Sequence, residues 1–132
     1  MRYLSAEEIF AIHDRILEAD GGLVGVRDLG LLYSLAERPK TSFMGQEMYS
    51  GVFLKAAVYV ESIATYHVFA DGNKRSALAV GAIFLEANGH RVTISILVGF
   101  RFMLAVAQKK KTIEQIAEWL KKNSRKSSPS PD

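Results

Sequence analysis

The sequence contains no cysteine, and this absence excludes both a disulfide scaffold and a cysteine-based zinc site. It also lacks any apolar run close to the ~20 residues that a membrane-spanning helix needs. The first residues, Met1 to Glu8, become polar at once and show no apolar stretch typical of a secretory signal. We therefore expect a cytoplasmic protein that does not contact a membrane.

Most of the chain carries no excess of positive charge. The formal net charge is +3, and the last twelve residues, with four basic side chains against one aspartate, account for all of it. A neutral body argues against direct contact with nucleic acid. The same composition predicts a domain over residues 1–122 and a disordered basic tail over residues 123–132, which are rich in serine and proline.

Apolar residues make up 48% of the chain, and their spacing predicts an all-α fold, a compact bundle of about six helices. Ser5–Glu8 and Thr112–Gln115 have the pattern of capping boxes, and Asp28 can cap a further helix. The run from Ala77 to Leu85 carries no polar side chain, which predicts a buried central helix. The predicted helices extend from Ser5 to about Glu18, from Asp28 to before Pro39, from Val52 to Tyr66, from about Asn73 to Asn88, from Thr93 or Ser95 to Ala107, and from Thr112 onward, with a loop over residues 39–51.

The segment HVFADGNKR, from His67 to Arg75, has the parts of a phosphate site. The first turn of the helix predicted to start at Asn73 offers unpaired backbone N–H groups and the positive end of a dipole, which favour a bound phosphate. Gly72 permits close approach of an anion. Lys74 and Arg75 are unfavourable at a helix N-terminus, so we expect an anionic ligand to compensate them.

Two further residues of the segment supply reactive groups. Asp71 can bind magnesium, because magnesium held on phosphates takes only one or two protein carboxylates. A histidine accepts a proton near neutral pH, so His67 can act as a general base. Together these groups suit the attack of a hydroxyl on phosphorus. Alone, Asp71 could equally be a helix N-cap, but the conjunction within nine residues favours the functional interpretation.

The other histidines and the lysine run are interpreted as structural. His13 and His90 have no metal-ligating residues at a suitable spacing, so a zinc site is not predicted. Lys109–Lys111 precedes a predicted helix and is interpreted as a solvated surface.

The pattern His-x-Phe-x-Asp-Gly-Asn-Lys-Arg resembles the signature of the Fic/Doc superfamily, in its Doc (death-on-curing toxin) form. The resemblance extends over about residues 1–122. It includes flanking segments at Gly21–Gly22, Arg27–Asp28, Arg38–Pro39, Phe43-x-Gly45, Lys55–Ala57 and Phe84–Gly89. It implies the Fic/Doc fold and a toxin of a toxin–antitoxin system. Such a toxin uses ATP and Mg²⁺ to phosphorylate a threonine of elongation factor Tu, which stops protein synthesis.

The resemblance also implies residue roles. The base would be His67 and the magnesium ligand Asp71. The phosphate or nucleotide would be held by Gly72, Asn73, Lys74 and Arg75. The stretch from Arg38 to Tyr49 matches a flap that guides the target, with Phe43 and Tyr49 as candidate docking residues.

Two alternatives to the kinase remain open. Relatives that transfer AMP usually have glycine where Lys74 stands and a second arginine where Leu78 stands, so this chain departs from them. A non-catalytic, operon-binding partner is the other alternative, although the neutral body and the lack of a helix-turn-helix pattern argue against it. The self-inhibitory pattern Ser/Thr-x-x-x-Glu-Gly/Asn is absent, which favours control by a separate, Phd-like antitoxin.

Overall fold

The computed structural model describes residues 1–128, and this part of the chain contains six α-helices. The helices are α1 (Ala6–Asp20), α2 (Leu29–Glu37), α3 (Val52–Tyr66), α4 (Asn73–Ala87), α5 (Ile96–Ala107) and α6 (Ile113–Lys122). A 3₁₀ turn over Arg38–Lys40 extends α2. The predicted all-α fold of about six helices is therefore confirmed. None of the helices in this described part is long and apolar enough to cross a membrane.

Four of the six described helices begin where the sequence places a capping side chain. The Ser5 and Thr112 hydroxyls accept hydrogen bonds from the third backbone N–H of α1 and α6, and both form complete capping boxes. The Asp28 carboxylate caps α2 in the same way. Ser95, and not Thr93, caps α5. Caps act within one turn, which explains why these boundaries could be predicted from local sequence.

The centre of the bundle is α3, which packs against α4, α5 and α6. Its residues Ala56–Val60 are all buried, together with Ile63 and Ala64. Helix α4 buries one side, but Ile83 is exposed and Leu78 is only half-buried. The Ala77–Leu85 run is therefore buried along one face as expected, and its neighbour α3 is enclosed more completely. An apolar composition does not show which face a neighbouring helix covers.

Four short strands complete the described fold. The pair β1 (Ser42–Phe43) and β2 (Gln46–Glu47) forms an antiparallel hairpin inside the segment predicted as a loop. Lys55 of α3 anchors this hairpin. Its buried ammonium lies 3.1 Å from the Pro39 carbonyl oxygen and 3.1 Å from Glu47 Oε1. A buried lysine needs such partners, because an unpaired charge in the interior is costly.

The second strand pair includes residues that were predicted to be part of the tail. Strand β4 (Ser124–Lys126) pairs antiparallel with β3 (His90–Val92), and the Ser127 N–H donates to the Gly89 carbonyl. Residues 124–126 are therefore ordered, contrary to the prediction of disorder from residue 123. The pairing partner lies over thirty residues away, so composition did not reveal it. The last four residues of the predicted tail, 129–132, lie outside the described residues.

The contact between α3 and α4 generates a stability prediction at Gly81. A Cβ added there would lie 2.5 Å from Val60 Cγ2. Gly81→Ala should lower the free energy of unfolding by about 1–3 kcal/mol, because the two helices cannot separate without losing other contacts. Urea titration followed by circular dichroism measures this.

Gly30→Ala provides the matched control within α2. The added Cβ would meet only Asp28 Oδ1, at an ordinary 3.6 Å. This change should raise the free energy of unfolding by about 0.5–1 kcal/mol, the usual gain of alanine over glycine in a helix. Equal stabilities of the two variants would contradict the proposed close contact.

Candidate active site

Residues 67–72 connect α3 to α4, and the connection begins and ends on a left-handed residue. His67 is the C-cap of α3 with φ 53°, and Gly72 is the N-cap of α4 with φ 74°. A non-glycine residue with positive φ is uncommon, and such strained positions cluster at functional sites. Between the two, Val68 and Phe69 are fully buried. The His67 side chain is consequently left exposed at the surface.

Asn73 closes this connection from the first position of α4. Its side-chain Oδ1 accepts from the Phe69 N–H at 3.1 Å, and its Nδ2 donates to the Phe69 carbonyl at 3.0 Å. The side-chain amide of Asn73 thus fixes the loop between α3 and α4. This role was not predicted from the sequence. Lys74 and Arg75 follow and are exposed. Arg75 Nη1 lies 3.2 Å from Asp20 Oδ2 of α1.

The Asp71 carboxylate lies beside this helix end, but it is not the N-cap of α4. One oxygen, Oδ1, accepts from the Gly72 N–H at 2.8 Å, and Oδ2 accepts from the Leu23 N–H at 3.3 Å. These two donors, Gly72 first, hold the pKa of Asp71 below its ordinary value. The side chain is exposed, so the carboxylate is ionised and accessible at neutral pH.

The second loop of the site, residues 21–28 between α1 and α2, lies antiparallel to the motif. The Arg27 N–H donates to the Val68 carbonyl at 2.8 Å, and the Ala70 N–H donates to the Gly25 carbonyl at 3.0 Å. Gly22 lets the loop approach Asp71, because a Cβ there would lie 2.8 Å from the Asp71 carboxylate oxygen. From the sequence alone, Gly21–Gly22 was only a point of resemblance. The density of glycines in this loop was the one available signal of a close backbone approach.

His13 of α1 lies under the motif and has no solvent exposure. Its Nδ1 is 2.8 Å from the Ser76 hydroxyl, and its ring stacks on Phe69 with centroids 3.7 Å apart. Burial lowers the pKa of His13, and the nearby charge of Arg75 adds to this, against opposing effects of Asp14 and Asp71. This burial agrees with the interpretation of His13, made from the sequence, as a structural residue. Nothing in the local sequence, however, indicated that it packs on a motif over fifty residues away.

The predicted flap corresponds to the β1–β2 hairpin and its base. Phe43 is exposed on the hairpin. Tyr49 lies at the base, where its ring faces the Arg38 guanidinium at 5.7 Å. Arg38 also pairs with Glu61 of α3 at 2.7 Å and faces the ring of Tyr66, the residue before His67. The hairpin base and the end of α3 are thus held by one side chain.

An apolar groove of about 540 Å³ lies between α1, α4 and α5. Lys74, Arg75 and Asp20 contribute to one part of its lining, so the groove reaches the motif. Its apolar lining comes from three helices and includes Ile16, Leu78, Ala82, Ile96, Phe100 and Met103. Large apolar side chains of α5, among them Ile96, Leu97 and Phe100, remain exposed. A patch of this kind is typical of a protein-binding surface.

Comparison with known proteins agrees with the motif. The Fic/DOC family profile matches residues 3–85. The chain is 36% identical over 92 residues to "Protein kinase doc" of Escherichia phage P1, an alignment that covers 70% of this chain and 72% of that protein. It is 42% identical over 71 residues to "Toxin Doc" of Mycolicibacterium smegmatis (strain ATCC 700084 / mc(2)155), covering 54% of this chain and 55% of that protein.

The approach of Gly22 to Asp71 can be tested with a pair of variants. Gly22→Ala should displace the carboxylate from the Leu23 N–H and raise the pKa of Asp71 toward its ordinary value. Gly25 also has a positive φ, 145°, but a Cβ there meets nothing within 4 Å. Gly25→Ala therefore imposes a comparable backbone strain without the clash. NMR titration of the side-chain carboxyl carbon measures both, and an unchanged Asp71 pKa in Gly22→Ala would contradict the contact.

Proposed function

Because the chain belongs to the Fic/DOC family, we propose that it is a Doc-like toxin that transfers the γ-phosphate of ATP to a hydroxyl of a protein. The observation that carries this proposal is that four kinds of group lie on the short segment that leads from the end of α3 into the first turn of α4. An exposed histidine, an ionised carboxylate, free helix N–H groups and two cations lie within residues 67–75. The target is proposed by resemblance to be elongation factor Tu.

The start of α4 is proposed to hold the phosphates. Gly72 leaves its first backbone N–H groups uncovered, since no side chain caps this helix. Lys74 and Arg75 add two positive charges at the positive end of the helix dipole, which a bound polyphosphate would neutralise. Asn73 supports this site by shaping the loop through its side chain and can bind a phosphate through its backbone N–H.

Asp71 is the residue that would hold magnesium. Among residues 1–128 no group of three histidine, aspartate or glutamate side chains is arranged around a common point. A single carboxylate nevertheless fits a magnesium ion whose other ligands are phosphate oxygens and water. Both Asp71 oxygens keep acceptor capacity beyond their single N–H bonds. Bound there, the ion would offset the charge that develops on the phosphates.

His67 is proposed to accept the proton of the attacking hydroxyl. Its left-handed backbone turns the chain out of α3 just before the phosphate loop, and its side chain is exposed to an incoming protein. The proton moves from the hydroxyl oxygen to the imidazole as the new O–P bond forms and the bond to the ADP oxygen breaks. The exposed β1–β2 hairpin with Phe43 would hold the target segment.

Lys74 and Leu78 distinguish phosphate transfer from AMP transfer. Leu78 contributes an apolar side chain to the groove, where an AMP-transferring relative has an arginine. The nucleotide therefore loses a holding point for the usual orientation. The lysine side chain adds a point charge that suits a terminal phosphate. These residues favour the presentation of the γ-phosphate over the α-phosphate.

The kinase proposal predicts which label is transferred. In bacterial extract containing this protein, ATP labelled on the γ-phosphate should label a protein, whereas ATP labelled on the α-phosphate should not. His67→Ala should reduce the labelling by ~100-fold or more, since a positioned base contributes roughly 10²–10⁴. The half-buried His90, which packs edge-on against Phe53 outside the motif, provides the control variant His90→Ala with unchanged labelling.

Each outcome of this experiment is informative. Transfer of the α label would establish the AMP-transferase alternative and refute the kinase. Full labelling by His67→Ala would remove His67 from the mechanism. Absence of both labels from every protein in the extract would contradict the enzymatic proposal.

We further propose that a Phd-like antitoxin restrains the toxin by laying an amphipathic helix in the apolar groove. The groove supplies an apolar surface of the kind that such a helix fills. Lys74 and Arg75 at the motif would pair with acidic side chains of the helix. An occupant at this position would also cover the start of α4 and block the phosphates.

Expression in bacteria tests toxicity and restraint together. The chain expressed alone should arrest growth, and co-expression with its antitoxin should restore it. Phe100→Asp should keep the arrest but resist the antitoxin, because a carboxylate enters the apolar groove surface. Leu29→Asp, which changes a similarly exposed residue of α2, is the control and should remain sensitive. Normal growth during high expression of the chain alone would contradict a potent toxin.

A further inference from the structure

From a different helix, His13 packs against the motif and bonds to Ser76, the residue that follows it. Its ring is parallel to that of Phe69 within 5°. Its Nδ1 bonds to the hydroxyl of Ser76, in the first turn of α4. Its Cε1 faces Gly72, where an added Cβ would lie only 3.5 Å away. One enclosed ring therefore touches the loop before α4 and the first turn of α4, and it lies beside the N-cap of α4.

The buried ring of His13 lowers the free energy of unfolding relative to an apolar residue of similar shape. The Nε2 atom of His13 is buried and has no hydrogen-bond partner in the described structure. A phenylalanine would retain the stacking and remove this unsatisfied atom. What only a polar residue provides is the bond to the buried Ser76 hydroxyl, which ties α1 to the first turn of α4. The presence of histidine at this position is thus better explained by that bond than by packing.

Resting on the proposed phosphate site, we propose that His13 is a positioning residue for it. By stacking on Phe69 and bonding to Ser76, it fixes the position of the Phe69–Gly72 loop relative to the first turn of α4. That relative position determines whether the N–H groups of α4 and the cations of Lys74 and Arg75 can bind the same polyphosphate. His13 itself touches no ligand, because its side chain is fully enclosed.

Binding of Mg·ATP, measured by calorimetry, tests this role separately from folding. His13→Phe should weaken ATP binding about tenfold, because it removes the bond that ties α1 to the first turn of α4. The unfolding temperature should not fall, since the unpaired Nε2 is removed as well. The double variant His13→Phe/Ser76→Ala has no orphaned hydroxyl but also lacks the bond between α1 and α4, so its binding should remain about as weak as that of His13→Phe.

Two further variants complete the experiment. His90→Phe changes a histidine outside the motif and should bind ATP normally. Ser76→Ala alone leaves His13 Nδ1 unpaired and should weaken binding as His13→Phe does, so it serves if His13→Phe fails to fold.

The outcomes separate this inference from the proposed function. If the unchanged protein does not bind Mg·ATP, the proposed phosphate site is wrong and the role of His13 falls with it. If the unchanged protein binds and both His13→Phe and Ser76→Ala bind equally well, only the positioning role is overturned. Weaker binding that accompanies a matching fall in unfolding temperature would show a purely structural histidine, and recovery of binding in the double variant would show that the bond is dispensable; either result would also overturn it.

Discussion

Burial of Phe69 is the constraint on which the candidate site depends. Its ring is enclosed against His13, and its backbone N–H and carbonyl are both bonded to the Asn73 side chain. Its neighbour on the second loop is Val26, across an isolated antiparallel bridge. With this residue held from three sides, the chain must turn outward on either side of it. His67 and Asp71 are exposed for that reason, although they are separated by only three residues.

The site opposes the local stability of the helix that carries it. Two cations in the first turn of α4 face the positive end of the helix dipole, and no acidic residue occupies that turn. Partial compensation comes from outside the helix. Asp20 pairs with Arg75, and the Asp71 carboxylate lies nearby with its lowered pKa. Such a conflict, only partly compensated, is typical of a site that awaits an anionic ligand.

Helix boundaries and the motif were accessible from the sequence because their causes are local. Capping side chains act within one turn, and α3, which has no side-chain cap, also begins and ends at the predicted residues, Val52 and Tyr66. The hairpin at residues 42–47 and the strand at residues 124–126 were not predicted. Both depend on partners outside the segment. Lys55 supports the hairpin from α3, and β3 supports β4.

The sequence by itself determined the class of fold, most helix starts, and the nine-residue segment with its histidine, carboxylate and cations, because periodicity, caps and a contiguous motif are written along the chain. Only the tertiary structure decided that α3 occupies the centre, that Leu23 bonds to Asp71, and that the ring of His13 lies beneath Phe69. These contacts join residues about fifty positions apart. A single isolated histidine or glycine leaves no periodic signal, so its partner becomes visible only when the helices pack.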